Sequence, residues 1–211
     1  MTPINIRDLG AGLDFRQTWD FQEDLVRQRR DGNINDTVLL LEHAPVYTIG
    51  RTRDQTSLRD PQHLPHPVVE INRGGQGTFH GPGQLVGYAI LDLNQRTKDL
   101  HLHLRNLEEV IIRALGHFEI KAERRDGLTG VWVDDRKIAS LGVGVRSWVT
   151  LHGFALNVEA ISLPPFQPIT PCGLDGVSIT CADLETDQVM TIENMKEVIA
   201  ATLRDVFDDP N

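Results

Sequence analysis

Val131-Trp132-Val133-Asp134-Asp135-Arg136-Lys137-Ile138-Ala139-Ser140-Leu141-Gly142-Val143-Gly144-Val145 is the stretch whose reading decides the fold. Val131–Val133 is a short β-branched and aromatic run, Asp134 and Asp135 are turn formers, and Lys137–Val145 is a second extended run. The pattern reads as a β-hairpin with the aspartates at its turn. Outward toward the C-terminus, Trp148–Val158 reads as a further strand and 159–172 as Pro-rich and irregular. A last helix follows over 192–207, with Met195, Val198, Ile199, Thr202, Val206 and Phe207 on one face. Toward the N-terminus, Leu104, Leu107, Ile111, Ala114, Leu115 and Phe118 recur at helical spacing, which predicts a helix over 100–118. Beyond it lie strand patterns at Val86–Leu91, at Val46–Gly50 after the Ala44-Pro45 break, and at Thr37–Glu42. Residues 14–30 form an amphipathic helix pattern, with Phe15, Trp19, Gln22 and Val26 on one stripe. Consecutive hairpins flanked by a few helices point to an α+β fold built on a mixed, largely antiparallel sheet.

At 211 residues, 40% hydrophobic and 24% charged, the chain suits one domain over 1–211 with a full core. No apolar run approaches the ~20 residues that span a bilayer. Met1-Thr2-Pro3-Ile4-Asn5 has neither a basic nor an apolar segment of the kind that begins a secretory signal. Cys172 and Cys181 do not suggest a disulfide framework, and two cysteines alone do not make a metal site. The expectation is a reduced cytoplasmic protein with no membrane contact. A net charge of −9 argues against nucleic acid as a partner, which needs a basic footprint. Arg51, Arg53, Arg73, Arg124, Arg125 and Arg146 offer a local basic rim for an acidic partner, although each alone reads more readily as a solvated surface charge.

Four segments carry residues capable of chemistry. Arg73-Gly74-Gly75-Gln76-Gly77-Thr78-Phe79-His80-Gly81-Pro82-Gly83-Gln84 holds five glycines and a proline within 74–83, which predicts a shaped loop that lets backbone approach a ligand. It is not a phosphate loop, because no Gly-Lys-Ser/Thr follows. In Lys137–Leu141, strand alternation puts Lys137, Ala139 and Leu141 on one face, opposite Ile138 and Ser140. His152-Gly153-Phe154-Ala155 sets an imidazole among small residues. Thr170-Pro171-Cys172-Gly173 fixes a cysteine between rigid neighbours. Taken singly, Lys137 reads as an exposed lysine, His152 as a structural histidine and Cys172 as an inert buried thiol. Cys181 fits that last description better still.

Taken together, Leu41–Arg51, Arg73–Tyr88, Lys137–Gly142, His152–Val158 and Pro171-Cys172-Gly173 resemble the lipoyl(octanoyl) transferase family, and the likeness covers most of the chain. It implies a fold like the catalytic domain of biotin and lipoate protein ligases. It also implies transfer of octanoyl from acyl carrier protein to a lysine of lipoyl domains, those of 2-oxoacid dehydrogenase complexes and the glycine cleavage H protein. By the same resemblance, Cys172 would form the acyl-thioester and Lys137 would lower its pKa and move protons. Arg73, Gly74, Gly75, Gln76, Gly77, Thr78, Phe79 and His80 would line the acyl pocket with Tyr88, Ser140, Leu141, Gly142, His152, Gly153, Phe154 and Ala155. Neither a metal nor a cofactor is implied, since octanoyl arrives on the carrier's phosphopantetheine. Ala89 and Gly77 depart from the family's commoner residues but remove no reactive group. Two rivals share parts of this pattern. An ATP-dependent lipoate or biotin ligase would use the lysine without a covalent cysteine, and a non-catalytic acyl-binding module would need neither.

Overall fold

The computed structural model of the chain describes residues 3–50, 55–71, 76–170 and 176–208. A seven-stranded mixed sheet forms its centre, in the order β1-β2-β6-β9-β8-β10, with β7 also paired to β8. These strands are β1 (Asn5–Asp8), β2 (Thr37–Leu41), β6 (Gln84–Ile90), β7 (Val131–Val133), β8 (Arg136–Arg146), β9 (Val149–Asn157) and β10 (Ser178–Ile179). β2, β6, β9 and β8 run antiparallel in turn, while β1 and β10 add parallel edges. A smaller sheet is ordered β4-β3-β5, from Val68–Glu70, Val46–Ile49 and Thr78–His80.

Helices cover both faces of the large sheet, and this explains why its inner strands read as continuous apolar runs. On β2, Val38 and Leu40 face α2 (Leu100–His117) and α3 (Ile192–Phe207), packing with Leu107, Ile111, Met195 and Ile199. Leu39 and Leu41 turn the other way, toward Leu25 and Val26 of α1 (Phe15–Arg30). β6 and β9 alternate likewise, with Leu85, Ala89 and Leu156 on one side and Val86, Ile90 and Leu151 on the other. The helix starts are chemically marked. Asp14 accepts the Gln17 amide at 2.9 Å, Asp99 accepts those of His101 and Leu102, and Thr191 with Asn194 forms a capping box.

At the centre of the sheet the backbones come unusually close. A Cβ on Gly87 would lie 2.2 Å from the Phe154 ring, and one on Gly153 would lie 2.2 Å from the Gly87 carbonyl oxygen. Glycine at both positions is what allows the ring to lie across β6.

The α+β reading holds, and the three helices fall within a residue of the spans expected from periodicity. β1 and β4 stand where no strand was expected, and three further details differ. Residues 78–80 within the glycine-rich loop form β5, because Thr48, Tyr47 and Val46 of β3 offer it a pairing edge. Trp148 lies in a tight turn rather than a strand: Ser147 and Trp148 both take positive φ, 51° and 67°, between Arg146 and its partner Val149. Strict alternation along β8 also fails. Val131 pairs with Ala139 and Trp132 with Lys137, so a bulge absorbs Ile138, and Ile138 and Ala139 both enter the core.

Candidate functional site

Beside that bulge, β8 carries Lys137 into the protein. The residue is only 3% exposed, and its Nζ donates to the Thr129 carbonyl oxygen at 3.0 Å and lies 5.5 Å from the centre of the Trp132 ring. Such a seat requires an absence opposite it. Gly130 adopts φ 137°, and a Cβ there would lie 2.5 Å from Lys137 Cε. Both the conformation and the space exclude other residues.

Lys137 opens onto a cavity of about 200 Å³. Ser140, Leu141 and Gly142 of β8 pair in register with Ala155, Phe154 and Gly153 of β9, and all six line it. Gln76, Thr78, His80, Tyr88 and His152 complete the expected part of the lining. Two other expected residues face elsewhere. Phe79 packs its ring against Tyr47 and Phe166, and Gly77 donates its amide to Ser57 Oγ at 2.9 Å, with Leu58 filling the space above its Cα. Arg73, Gly74, Gly75 and Cys172 lie outside the described residues, as do Arg51 and Arg53.

The polar groups of the lining are held from behind. Gln84 Nε2 donates to Asn157 Oδ1 at 2.9 Å, which turns Gln84 Oε1 toward His80 and makes His80 Nδ1 the donor at 2.8 Å. Asn157 passes the chain on to the Thr180 carbonyl oxygen at 3.1 Å. Burial holds His43 down to a pKa of about 4, so its ring is neutral at pH 7. Nδ1 of that ring donates to the Leu13 carbonyl oxygen at 3.1 Å, leaving Nε2 to accept from the Tyr88 hydroxyl at 2.7 Å. His152 sits at φ 62° with its amide redirected to Gln22 Oε1 of α1 at 2.9 Å, an uncommon backbone state at a cavity wall.

Five lining residues escape sequence reasoning: Phe15, Ile71, Gly127, Leu128 and Thr129. Phe15 had a helical signal, but one that marks a core residue as readily as a pocket residue. Nothing in residues 127–129 signals a wall, since that segment acquires its place only through the neighbours that hold it.

The remaining cysteine and arginines can be assigned places. Cys181 is fully buried, and burial pushes its thiol above the ordinary range. Arg124 is engaged by Glu108 and Glu109, Arg125 by Asp135 and the Asp134 carbonyl oxygen, and Arg146 by Glu23 at 3.3 Å. Among the described residues, no helix is long and apolar enough to cross a membrane.

Comparison with known proteins places this geometry. Residues 14–204 match the lipoyl protein ligase A/B catalytic domain family. An octanoyltransferase of Geobacter sulfurreducens is 48% identical over 198 residues, 94% of this chain and 82% of the relative. The chain belongs to the octanoyltransferase family. A second octanoyltransferase, from Rubrobacter xylanophilus, is 42% identical over 213 residues, covering 98% of this chain and 95% of its own. The octanoyltransferase chain is therefore an acyltransferase, and its fold is that of lipoate and biotin ligases. A bipartite lipoate protein ligase from Thermoplasma acidophilum superposes with a TM-score of 0.76 over 99% of this chain and 85% of its own, at 14% identity. Biotin protein ligase from Aquifex aeolicus superposes with 0.57 over 97% and 68%, also at 14% identity.

Proposed function

We propose that this protein is a cytoplasmic octanoyltransferase of lipoate biosynthesis. It takes octanoyl from acyl carrier protein, holds it as a thioester on Cys172, and delivers it to a lysine amine of a lipoyl domain. The observation that carries the reading is a buried ammonium, that of Lys137, at the edge of a small and mostly apolar cavity. A volume of about 200 Å³ falls below the ~300–1,000 Å³ of drug-sized sites, and suits one short acyl chain. Burying that chain contributes about 0.8 kcal/mol per methylene before ordering costs.

In the proposed sequence the Cys172 thiolate attacks the carrier thioester and the carbonyl carbon gains a bond to Sγ. The bond to the pantetheine sulfur breaks, and Lys137 gives that sulfur its proton. Neutral Lys137 then takes a proton from the incoming amine, the carbon–nitrogen bond forms, and Cys172 leaves as thiolate. Thioester exchange is near neutral and amide formation is downhill, so neither ATP nor any cofactor is required. Support for bringing the two groups together comes from β10, where Ile179 pairs with Lys137 and the Thr180 amide donates to the Lys137 carbonyl oxygen at 3.0 Å. Cys172 precedes Ile179 by seven residues, a tether that spans at most about 25 Å.

Intact-mass measurement after mixing with octanoyl carrier protein tests this. One octanoyl adduct is expected on the native chain and none on Cys172→Ala. An adduct mapped to Cys181, or transfer that proceeds only with added ATP, would overturn the proposal.

A further inference from the structure

Lys137 is held by a segment that has no regular structure of its own, so something must hold the segment. Residues 127–130 contribute Gly127, Leu128 and Thr129 to the cavity wall, and Thr129 also offers Lys137 the carbonyl oxygen it binds. Gly130 then leaves the space that Cε occupies. The amide of Gly130 points away from the cavity and donates to Glu108 Oε1 of α2 at 3.0 Å. Glu108 is 1% exposed in its side chain, on a helix face otherwise given to Leu107 and Ile111. A carboxylate in that position needs charge compensation. Its second oxygen, Oε2, receives Arg105 Nη1 at 2.7 Å and Arg124 Nε at 3.2 Å. Arg124 itself lies shortly before the segment and is pinned further by the Arg105 carbonyl oxygen and by Glu109. The 124–130 stretch is thus clamped to α2 at both ends by a single buried side chain.

We infer that Glu108 is a positioning residue for the transfer reaction, acting through the Gly130 amide and the Thr129 carbonyl to fix where the Lys137 ammonium sits. This rests on the proton-carrying role proposed for Lys137. Glu108 touches neither substrate nor the reacting atoms. What it controls is the geometry of the proton donor, and proton transfer is steeply sensitive to misplacement on the ångström scale. Losing the clamp should therefore lower kcat more than it weakens acyl binding, because the β8 and β9 walls of the cavity do not depend on it.

The test is steady-state transfer from octanoyl carrier protein to a lipoyl domain by the full chain, with folding verified by circular dichroism. Glu108→Gln is expected to lower kcat about tenfold while KM for the carrier changes less than about twofold. Lys137→Ala alone should lower kcat by about a hundredfold or more. In the Lys137→Ala background, Glu108→Gln should cost almost nothing further, because the group it positions is gone. Glu108→Asp, which keeps the charge but shortens the reach to the Gly130 amide, should reproduce the kcat loss and carries the test if Glu108→Gln fails to fold. Wild-type kcat in Lys137→Ala would remove the role of Lys137 itself, and the inference with it. If Lys137→Ala is slow, then wild-type kcat in folded Glu108→Gln, or an equal loss in both backgrounds, overturns the inference alone. Wild-type kcat in Glu108→Asp overturns it as well.

Discussion

Two buried carboxylates in this molecule are each gripped by two arginines, and they serve different ends. Asp36, before β2, accepts Arg29 Nε of α1 at 2.7 Å and Arg96 Nε at 2.6 Å, and its Oδ1 also accepts the Asp92 amide at 2.9 Å. Arg96 reaches on to the Phe207 carbonyl oxygen at the end of α3. One carboxylate therefore ties together α1, the β2 and β6 ends and the last helix, far from Lys137 in connectivity. Glu108 instead ties one helix to one short segment, and that segment is the cavity wall. The arginines differ as well. Arg29 and Arg96 are 8% and 11% exposed, whereas Arg105 and Arg124 are 48% and 34% exposed. Where a buried charge loses its partner, the cost depends on whether water can replace it. The first cluster is sealed and the second is open on its arginine side.

The largest expected effect follows from that seal. Asp36→Asn leaves buried Arg96 without a carboxylate partner and Arg29 with only Asp92 at 3.7 Å, and should cost about 3–5 kcal/mol of unfolding free energy, read from a urea midpoint, with kcat of the folded fraction unchanged. A midpoint near wild type would show that water enters the cluster. Glu108→Gln should invert the pattern. Its stability cost is expected at about 1–2 kcal/mol, since exposed Arg105 and Arg124 can be rehydrated, while its kinetic cost exceeds that of Asp36→Asn. Equal ratios of kinetic to stability loss in the two variants would erase the difference between the two carboxylate clusters. The most gradual effect, spread over more than two pH units, concerns pH. His103 on α2, near Arg96 and Asp36, is held to a pKa of about 4, chiefly by burial and further by Arg96, as His43 is by burial near the cavity. An unfolded chain takes up these protons near pH ~6.5. Stability from keeping the rings neutral is thus fully present above about pH 6.5 and is lost as pH falls toward 4, on the order of 1 kcal/mol per unit for each histidine. His103→Leu should flatten that slope by one proton and leave kcat intact. An unchanged slope would mean that His103 takes up its proton at similar pH in the folded and unfolded states.

How much of this was legible beforehand depends on distance along the chain. Helix spans and the inner strands follow from periodicity, because burial on both faces leaves a dense apolar record in β2, β6 and β9. β1 and β4 leave none: Asn5-Ile6-Arg7-Asp8 is mostly polar, and Val68-Val69-Glu70 is three residues long. The β8–β9 half of the cavity was named from ordered motifs, and those residues converge on it. Phe79 shows the limit of motif reading, because in a strand its neighbours Thr78 and His80 share a face that it does not. Glu108 was hidden for another reason. Arg105 and Glu108, three apart on a helix, look like an ordinary surface pair, and only the tertiary approach of Gly130 gives the carboxylate its second task.

Gly87 and Phe154 carry a consequence for heredity. The ring occupies the volume that any side chain at 87 would claim, at 2.2 Å from its would-be Cβ. Gly87→Ala should therefore be damaging in the present background and much less so once Phe154 has become leucine, and thermal unfolding of the two single variants and the double would display that interaction. Because Phe154 also lines the cavity, the two positions cannot drift separately. A lineage that acquires a larger residue at 87 must first have shrunk the one at 154, so the order of substitutions, and not only their sum, governs which cavity shapes this fold can reach.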